Sequence, residues 1–121
     1  MDTNEIVASY GAAWNEPDDV ARAELLAASW ADAGVYQDPT ATVEGRDALV
    51  AHIAGFQQTF SGHVIELTSA VDTNGAALRW GWAMRNGDEI VIEGIDVAAL
   101  APDGRILRID GFFGPLPELT D

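Results

Sequence analysis

The hydrophobic periodicity of the chain changes once, at Gly62, and this change limits the folds open to it. Before Gly62 the apolar residues recur at helical spacing, and after it they alternate with polar residues as they do in strands. The pairs Asn74-Gly75 and Asn86-Gly87 divide the second part and are typical of tight hairpin turns. The order of helices and then antiparallel strands predicts an α+β fold, with helices covering one face of a curved sheet.

Local signals set the expected boundaries of the three helices. A capping box of Asp2 and Glu5 opens the first helix, and Asn15-Glu16-Pro17 separates it from the second, with Pro17 in the first turn. Gly34 is expected to break the second helix. The remaining predicted elements are a short strand over 35–38, a helix over about 46–59, and four long strands over 63–71, 78–85, 89–100 and 105–113.

Composition narrows the possible partners. The 121 residues suit one domain, 1–121, and the net charge of −14, with six arginines and no lysine, argues against binding to nucleic acid or anionic membranes. No apolar run is long enough for a membrane span, and no cationic start precedes an apolar stretch, so a cytoplasmic location is expected. The chain has no cysteine, which excludes disulfides and thiolate metal sites.

Asp96 is the first candidate for chemistry. It lies in the middle of a predicted strand, in Glu93-Gly94-Ile95-Asp96-Val97, and should be at least partly buried. A buried carboxyl is costly unless it is hydrogen-bonded, paired or protonated, so we expect a raised pKa, chiefly from desolvation. The alternative is a structural carboxyl that braces the strand end.

Short segments along nearly the whole chain resemble the nuclear transport factor 2-like superfamily and, within it, the SnoaL-like proteins. The resemblance implies a cone in which a bent sheet and three helices enclose a pocket open at one end. The segments that carry it are 9–15, Trp30-Ala31-Asp32, Tyr36-Gln37-Asp38-Pro39, 45–49, Gly94-Ile95-Asp96-Val97, 103–106 and Gly111-Phe112-Phe113.

Ketosteroid isomerases of this superfamily resemble the chain at three functional positions. The resemblance implies that Asp38 is a general base and that Tyr10 and a protonated Asp96 donate hydrogen bonds to a developing enolate. The matching function is cofactor-independent proton transfer next to a carbonyl, as in an isomerase or polyketide cyclase, on a small apolar or carbonyl-containing molecule. The residues expected to bind the ligand are Trp14, Trp30, His52, Phe56, Phe60, Trp80, Trp82, Met84 and Phe113.

Other interpretations stay open. Tyr10 could be an ordinary core residue and Asp38 a turn cap, which would leave a non-catalytic binding protein with the same pocket. An epoxide hydrolase-like or dehydratase-like enzyme would need an arginine between carboxylates, whereas Arg79 and Arg85 alternate away from the expected pocket. No histidine–carboxylate cluster has metal-ligand spacing and no glycine-rich phosphate loop occurs, so neither a metal nor a cofactor is expected.

The outer face of the sheet predicts self-association. It should expose more apolar surface than a monomer comfortably carries, and the helices are needed on the opposite face. We therefore expect a two-fold homodimer in which one sheet packs on its copy. The residues expected on this face are Ala83, Val91, Ile95, Val97 and Phe112.

Overall fold

A computed structural model describes residues 1–120, in which three helices pack on one face of a curved, unclosed sheet. The predicted α+β fold is confirmed, although the sheet has seven strands where four long strands and a short one were expected. The elements are α1 (Thr3–Ala13), α2 (Asp19–Ser29), β1 (Trp30–Asp38), β2 (Ala41–Glu44), α3 (Arg46–Thr59), β3 (Val64–Leu67), β4 (Asp72–Asn74), β5 (Ala77–Asn86), β6 (Glu89–Leu100) and β7 (Ile106–Phe113).

The helix starts follow side-chain caps. Asp2 caps α1 and forms the predicted capping box with Glu5. The predicted start of α2 was wrong. Pro17 was expected in the first turn, whereas Asp18 caps the helix and Pro17 lies before it. The Asp18 carboxylate accepts a hydrogen bond from the Ala21 amide at 2.8 Å, and this bond fixes the start at Asp19.

The stretch from Trp30 to Gly34 was wrongly assigned to a helix. β1 begins at Trp30 and continues through Gly34, so the strand has nine residues instead of four. The Trp30 indole lies directly over Gly34, where a Cβ would come within 2.7 Å of the ring atom Cε2. The lack of a side chain at Gly34 therefore makes room for an aromatic ring within the strand. Glycine also breaks helices, and this tendency led to the wrong assignment of a helix end at Gly34.

Two other differences concern short strands. The segment 63–71, expected as one strand, contains β3 and is followed by β4, and each pairs separately with β5. β2 was not predicted and forms a hairpin with β1. Short strands bury few residues, so their periodic signal in the sequence is weak.

The order of strands is β2-β1-β7-β6-β5-β3, and β4 also pairs with β5. The hairpin glycines Gly75 and Gly87 have φ values of 60° and 61°, as the two Asn-Gly turns predicted. β1 and β7 are parallel, with Tyr36 opposite Ile109. This pairing places the end of β1 beside the end of β7, and β6 follows on the other side of β7.

Alternation gives the sheet an inner face under the helices and an outer face away from them. Trp80 lies opposite Asp96 in the β5–β6 ladder, and both belong to the inner face. The outer face exposes Ile95, Val97 and Phe112, as expected. Ala83, also expected there as exposed surface, is 0% exposed, because its methyl group lies between the longer cross-strand neighbours Glu66 and Glu93.

Candidate functional site

A cavity of about 500 Å³ lies between the inner face of the sheet and the helices α1 and α3. Its walls include eleven of the twelve residues that the sequence singled out, and their roles in binding or catalysis remain predictions. The eleven are Tyr10, Trp14, Asp38, His52, Phe56, Phe60, Trp80, Trp82, Met84, Asp96 and Phe113.

Trp30 is the exception: it was expected to bind the ligand, and the structure places it outside the cavity lining. It is 0% exposed. Its ring stacks on Tyr10 with centroids 5.6 Å apart and an angle of 21° between the planes. Because Trp30 opens β1 and does not belong to a helix, it packs behind the cavity wall, where it supports Tyr10.

Aromatic rings form one wall of the cavity. Trp14 packs against Tyr36, His52 and Phe56, with centroid separations of 5.6, 6.1 and 5.1 Å. Tyr36 and His52 are 5.8 Å apart. Interlocked rings lose little conformational freedom when a ligand binds, so this wall suits a flat apolar molecule.

Asp38 lies at the end of β1 and accepts four hydrogen bonds. The Tyr36 hydroxyl donates to Oδ2 at 2.6 Å. Oδ1 accepts from the amide and hydroxyl of Thr40, both at 2.7 Å, and from the Ala41 amide at 3.0 Å. Partial burial raises the pKa of Asp38, but these hydrogen bonds outweigh it and leave the pKa below its ordinary value. Asp38 is therefore ionised at neutral pH.

Asp96 has the opposite surroundings. It is 8% exposed, lines the cavity, and accepts no hydrogen bond of normal geometry within residues 1–120. Desolvation, followed by the charge of Asp38, raises the pKa of Asp96 to about 7. The buried indole N–H of Trp82 favours the ionised form, although it makes no hydrogen bond of normal geometry. Both protonation states of Asp96 are populated near neutral pH.

Gly111 lies between the two carboxyl groups. It faces Asp96 across the β6–β7 ladder, on the inner side of the sheet. A Cβ at Gly111 would lie 2.9 Å from Asp96 Oδ1 and 3.5 Å from Asp38 Cβ. The missing side chain leaves the two carboxyl groups close enough for their charges to interact, which explains why Asp38 raises the pKa of Asp96.

Two tyrosines complete the polar end of the cavity. Burial, together with the charge of Asp96, raises the pKa of Tyr10 well above its usual value, so its hydroxyl stays protonated. Burial also raises the pKa of Tyr36, which donates to Asp38. Sequence analysis missed Tyr36 as a site residue. Its spacing of two residues from Asp38 on one strand, which places both side chains on one face, was the available signal.

The six arginines lie elsewhere, and each forms an ion pair outside the cavity. The pairs are Arg22–Asp19, Arg46–Asp32, Arg79–Asp72, Arg85–Glu66, Arg105–Asp103 and Arg108–Asp110. Neither an arginine nor a lysine is among the lining residues of the described chain. Residues 1–120 contain no group of three histidine, aspartate or glutamate side chains that could hold a metal ion, and no helix long and apolar enough to cross a membrane.

Comparisons with solved structures place the fold among known proteins. A protein from Agrobacterium tumefaciens str. C58, described as a "putative isomerase of the SnoaL-like family", is 32% identical, with a TM-score of 0.87 over 95% of this chain and 100% of that one. An NTF2-like protein from Cytophaga hutchinsonii, 13% identical, gives a TM-score of 0.72 over 95% and 92% of the two chains.

A third structure, from Sinorhizobium meliloti and described as a "putative polyketide cyclase", is 21% identical, with a TM-score of 0.69 over 88% of this chain and 92% of that one. At this identity and that of the Cytophaga protein, the likeness concerns the fold alone. No curated protein matches the chain. The profile of the SnoaL-like domain matches residues 7–109, and with the Agrobacterium relative it shows that the chain belongs to the SnoaL-like family.

Proposed function

We propose that the cavity catalyses cofactor-independent proton transfer next to the carbonyl group of a small apolar molecule. The observation that carries this proposal is Asp96, a buried carboxyl with a pKa of about 7 in an aromatic cavity. A group with a pKa near the working pH takes up and returns protons most effectively. The description of the Agrobacterium relative as an isomerase agrees with this chemistry.

The two carboxyl groups differ in how well they can act as a base. The four hydrogen bonds to Asp38 stabilise its charge and lower its basicity. Ionised Asp96 has only the Trp82 indole N–H to favour its charge, and its pKa of about 7 makes it the stronger base of the two. We therefore assign proton exchange to Asp96 and a fixed negative charge to Asp38. The family resemblance implied the reverse division, with Asp38 as the base.

The reaction would proceed through an enolate. The proton next to the carbonyl moves from carbon to the Asp96 carboxylate, and the bonding electrons move to the carbonyl oxygen. The Tyr10 hydroxyl, protonated and buried, donates a hydrogen bond to that oxygen. Where the enolate is conjugated with a C=C bond, Asp96 returns the proton to the far carbon of the conjugated system, which shifts the double bond and gives an isomer. Alternatively, the enolate carbon attacks a second carbonyl, which closes a ring, and Asp96 gives its proton to the alkoxide that forms.

Hydrogen–deuterium exchange tests this proposal without knowledge of the natural substrate. The probe is 2-tetralone in D₂O, with exchange next to the carbonyl followed by NMR. We expect the wild-type protein to accelerate exchange and Asp96→Asn to lower the acceleration by about 100-fold or more. The matched control is Asp110→Asn, which removes a carboxyl group from the outer face and should leave the rate unchanged. Equal rates for wild type and Asp96→Asn would contradict the proposal.

A non-catalytic binding protein is the second candidate, and the hydrogen bonds that occupy Asp38 favour it. In that case, calorimetry should detect binding of 2-tetralone, and the protein should not accelerate hydrogen–deuterium exchange in it. An epoxide hydrolase-like site has less support, because Arg79 and Arg85 pair with Asp72 and Glu66 on the outer face. Such a site needs an arginine beside the carboxylates.

We also propose that two chains pair through the outer face of the sheet. Ile95 is 48% exposed and Phe112 is 57% exposed at neighbouring positions of the β6–β7 ladder, which gives an apolar patch bordered by ion pairs. Ile95→Lys should convert a dimer to a monomer in light scattering, whereas Val20→Lys, at an exposed position on α2, should not. A wild-type mass of one chain at high concentration would overturn this proposal.

A further inference from the structure

The cavity contains carboxylate charge, and within residues 1–120 neither an arginine nor a lysine lines it to balance that charge. Asp38 is ionised at neutral pH, and Asp96 is ionised in part of the molecules. All six arginines are paired with other carboxylates, outside the lining of the cavity. With −14 on the whole chain, we expect a negative potential inside the cavity. A bound carboxylate or phosphate would be repelled, and a cation would be attracted.

The surroundings of Asp38 are those of a cation site. Oδ2 accepts one hydrogen bond, from Tyr36, and keeps a free acceptor position. The Tyr36 ring, whose hydroxyl donates to Asp38, packs with Trp14 and His52 in the wall of the same cavity. A protonated amine binds well where a carboxylate oxygen and aromatic rings line one partly dry site.

Asp96 gives an independent indication of a ligand. Its carboxyl group is 8% exposed, faces the cavity and has no hydrogen-bond partner of normal geometry within residues 1–120. Gly111 lets Asp96 and Asp38 lie close to each other, because any side chain at Gly111 would crowd Asp96 Oδ1. A carboxyl that faces a cavity and has no protein donor of normal geometry can accept a hydrogen bond from a donor group on a ligand.

We propose that the natural ligand is a hydrophobic amine, protonated when bound, whose ammonium group lies between Asp38 and Asp96 and whose flat apolar part lies against the aromatic wall. This inference deepens the proposed function, on which it rests for the reaction. Proton abstraction next to a carbonyl would create an enolate beside the charge of Asp38. A substrate that carries its own positive charge supplies the balancing cation that the protein lacks.

The proposal also links binding to protonation. A cation beside Asp38 cancels the charge that helps to keep a proton on Asp96. Binding should therefore release a proton from Asp96 and leave it as the carboxylate needed for the reaction. The other titratable groups at this end of the cavity are Tyr10, Tyr36 and His52. Both tyrosines stay protonated with or without the ligand, since burial raises the pKa of each.

Three ligands with one skeleton test the charge preference. They are 2-naphthylmethylamine, 2-naphthylmethanol and 2-naphthoate, each titrated into the full chain at pH 7 by calorimetry. We expect the amine to bind at least about tenfold more tightly than the alcohol, and the carboxylate more weakly than both. Equal or tighter binding of the alcohol would overturn the proposal.

Variants of Asp38 and Asp96 show which carboxyl group causes the preference for the amine and which releases the proton. Asp38→Asn keeps the shape and the acceptor oxygen, so it should fold and should reduce the preference for amine over alcohol to within about threefold. Repeating the titration in buffers of different ionisation enthalpy measures proton release. Release should occur in wild type and in the outer-face control Asp110→Asn but be lost in Asp96→Asn. Release that persists in Asp96→Asn would show that another group loses the proton, and this would overturn the assignment.

The outcomes separate this inference from the proposed function. If the protein accelerates exchange in 2-tetralone but binds the alcohol as tightly as the amine, the ligand is neutral and only this inference fails. If the amine is preferred and exchange is not accelerated, the cavity is an amine-binding site and the catalytic proposal fails. If none of the naphthalene ligands binds, this inference fails, whatever the result of the exchange experiment.

Discussion

The two faces of the sheet differ in whether their carboxylates are paired with arginines. On the outer face, Arg79, Arg85 and Arg108 each contact a carboxylate, and these side chains remain partly in water. On the inner face, Asp38 and Asp96 lie among aromatic rings, and no arginine or lysine of residues 1–120 lines the cavity with them. The same strands present both faces, so one-residue alternation separates surface charge that is neutralised from cavity charge that is not. The free energy cost of charge is therefore concentrated in the cavity.

The largest effect on stability is expected when the Asp96 charge is removed from the inner face. Asp96 has an ordinary pKa of 3.8 and a folded-state pKa of about 7, so unfolding releases a proton between these values. The proton on Asp96 contributes fully to the free energy of unfolding below pH 3.8, and this contribution is lost as the pH rises through about 7. Asp96→Asn, which cannot ionise, should thus be more stable than wild type at pH 8, by up to about 4 kcal/mol.

Urea unfolding at pH 4 and pH 8 measures this difference. The advantage of Asp96→Asn should shrink toward pH 4, where Asp96 is protonated in the folded protein. Asp110→Asn is the outer-face control and should show no such gain at pH 8, because Arg108 already balances Asp110. An advantage of Asp96→Asn that did not change with pH would mean that ionisation of Asp96 is not its source.

The second effect compares a glycine from each face. A Cβ at Gly94, on the inner face, would overlap the Phe112 carbonyl oxygen and come within 2.8 Å of the Trp82 ring. A Cβ at Gly81, on the outer face, would meet chiefly the Thr68 hydroxyl, which can rotate away. Gly94→Ala should cost about 3 kcal/mol and Gly81→Ala about 1 kcal/mol. Thermal unfolding of both variants checks the order, and equal losses would contradict it.

The third effect concerns the hydrogen bond from Tyr36 to Asp38. Tyr36→Phe removes a donor to a carboxylate, which should cost about 1–2 kcal/mol at pH 7. The lowered pKa of Asp38 means that its hydrogen bonds contribute stability above pH 3.8, and this contribution is lost as the pH falls through the folded-state value. The cost of Tyr36→Phe should therefore be smaller at pH 3 than at pH 7. Unfolding at both pH values measures it, and an unchanged cost would argue against an ionised acceptor.

The smallest effect is expected for a charge on the outer face. Arg79 and Asp72 form an ion pair in which the two side chains are 68% and 61% exposed. Arg79→Ala should change the free energy of unfolding by less than about 0.5 kcal/mol, because water and salt screen exposed pairs. A loss as large as that of Tyr36→Phe would mean that the two faces are not as different as the structure indicates.

The main features of the fold follow from strong local signals. The capping box at Asp2 and the turns at Asn74-Gly75 and Asn86-Gly87 depend on neighbouring residues only, and sequence analysis placed all three correctly. Trp30 and Gly34 were misassigned because their conformation depends on a ring lying over a glycine within β1. A packing contact of this kind overrides helix propensity and leaves no periodic pattern in the sequence.

The site was predictable in outline but not in its electrostatics. The apolar neighbours of Asp96 predicted its burial and a raised pKa, and the structure agrees. The state of Asp38 depends on donors from Tyr36, Thr40 and Ala41, whose geometry is set by the turn after β1. The proximity of the two carboxyl groups depends on Gly111, which lies on the strand after that of Asp96 and far in sequence from Asp38. Neither contact can be read from spacing.

The parallel pairing of β1 with β7 has a consequence for the order of folding. Asp38 and Asp96 become neighbours only when Gly111 lies between them, and Gly111 belongs to the last strand of the chain. Contacts between residues so far apart in sequence form slowly, because closing a long loop costs entropy. During synthesis, a chain that has not yet reached β7 therefore has two separate half-sites, and completion of the C-terminal strand is the event that brings the cavity's carboxyl groups together.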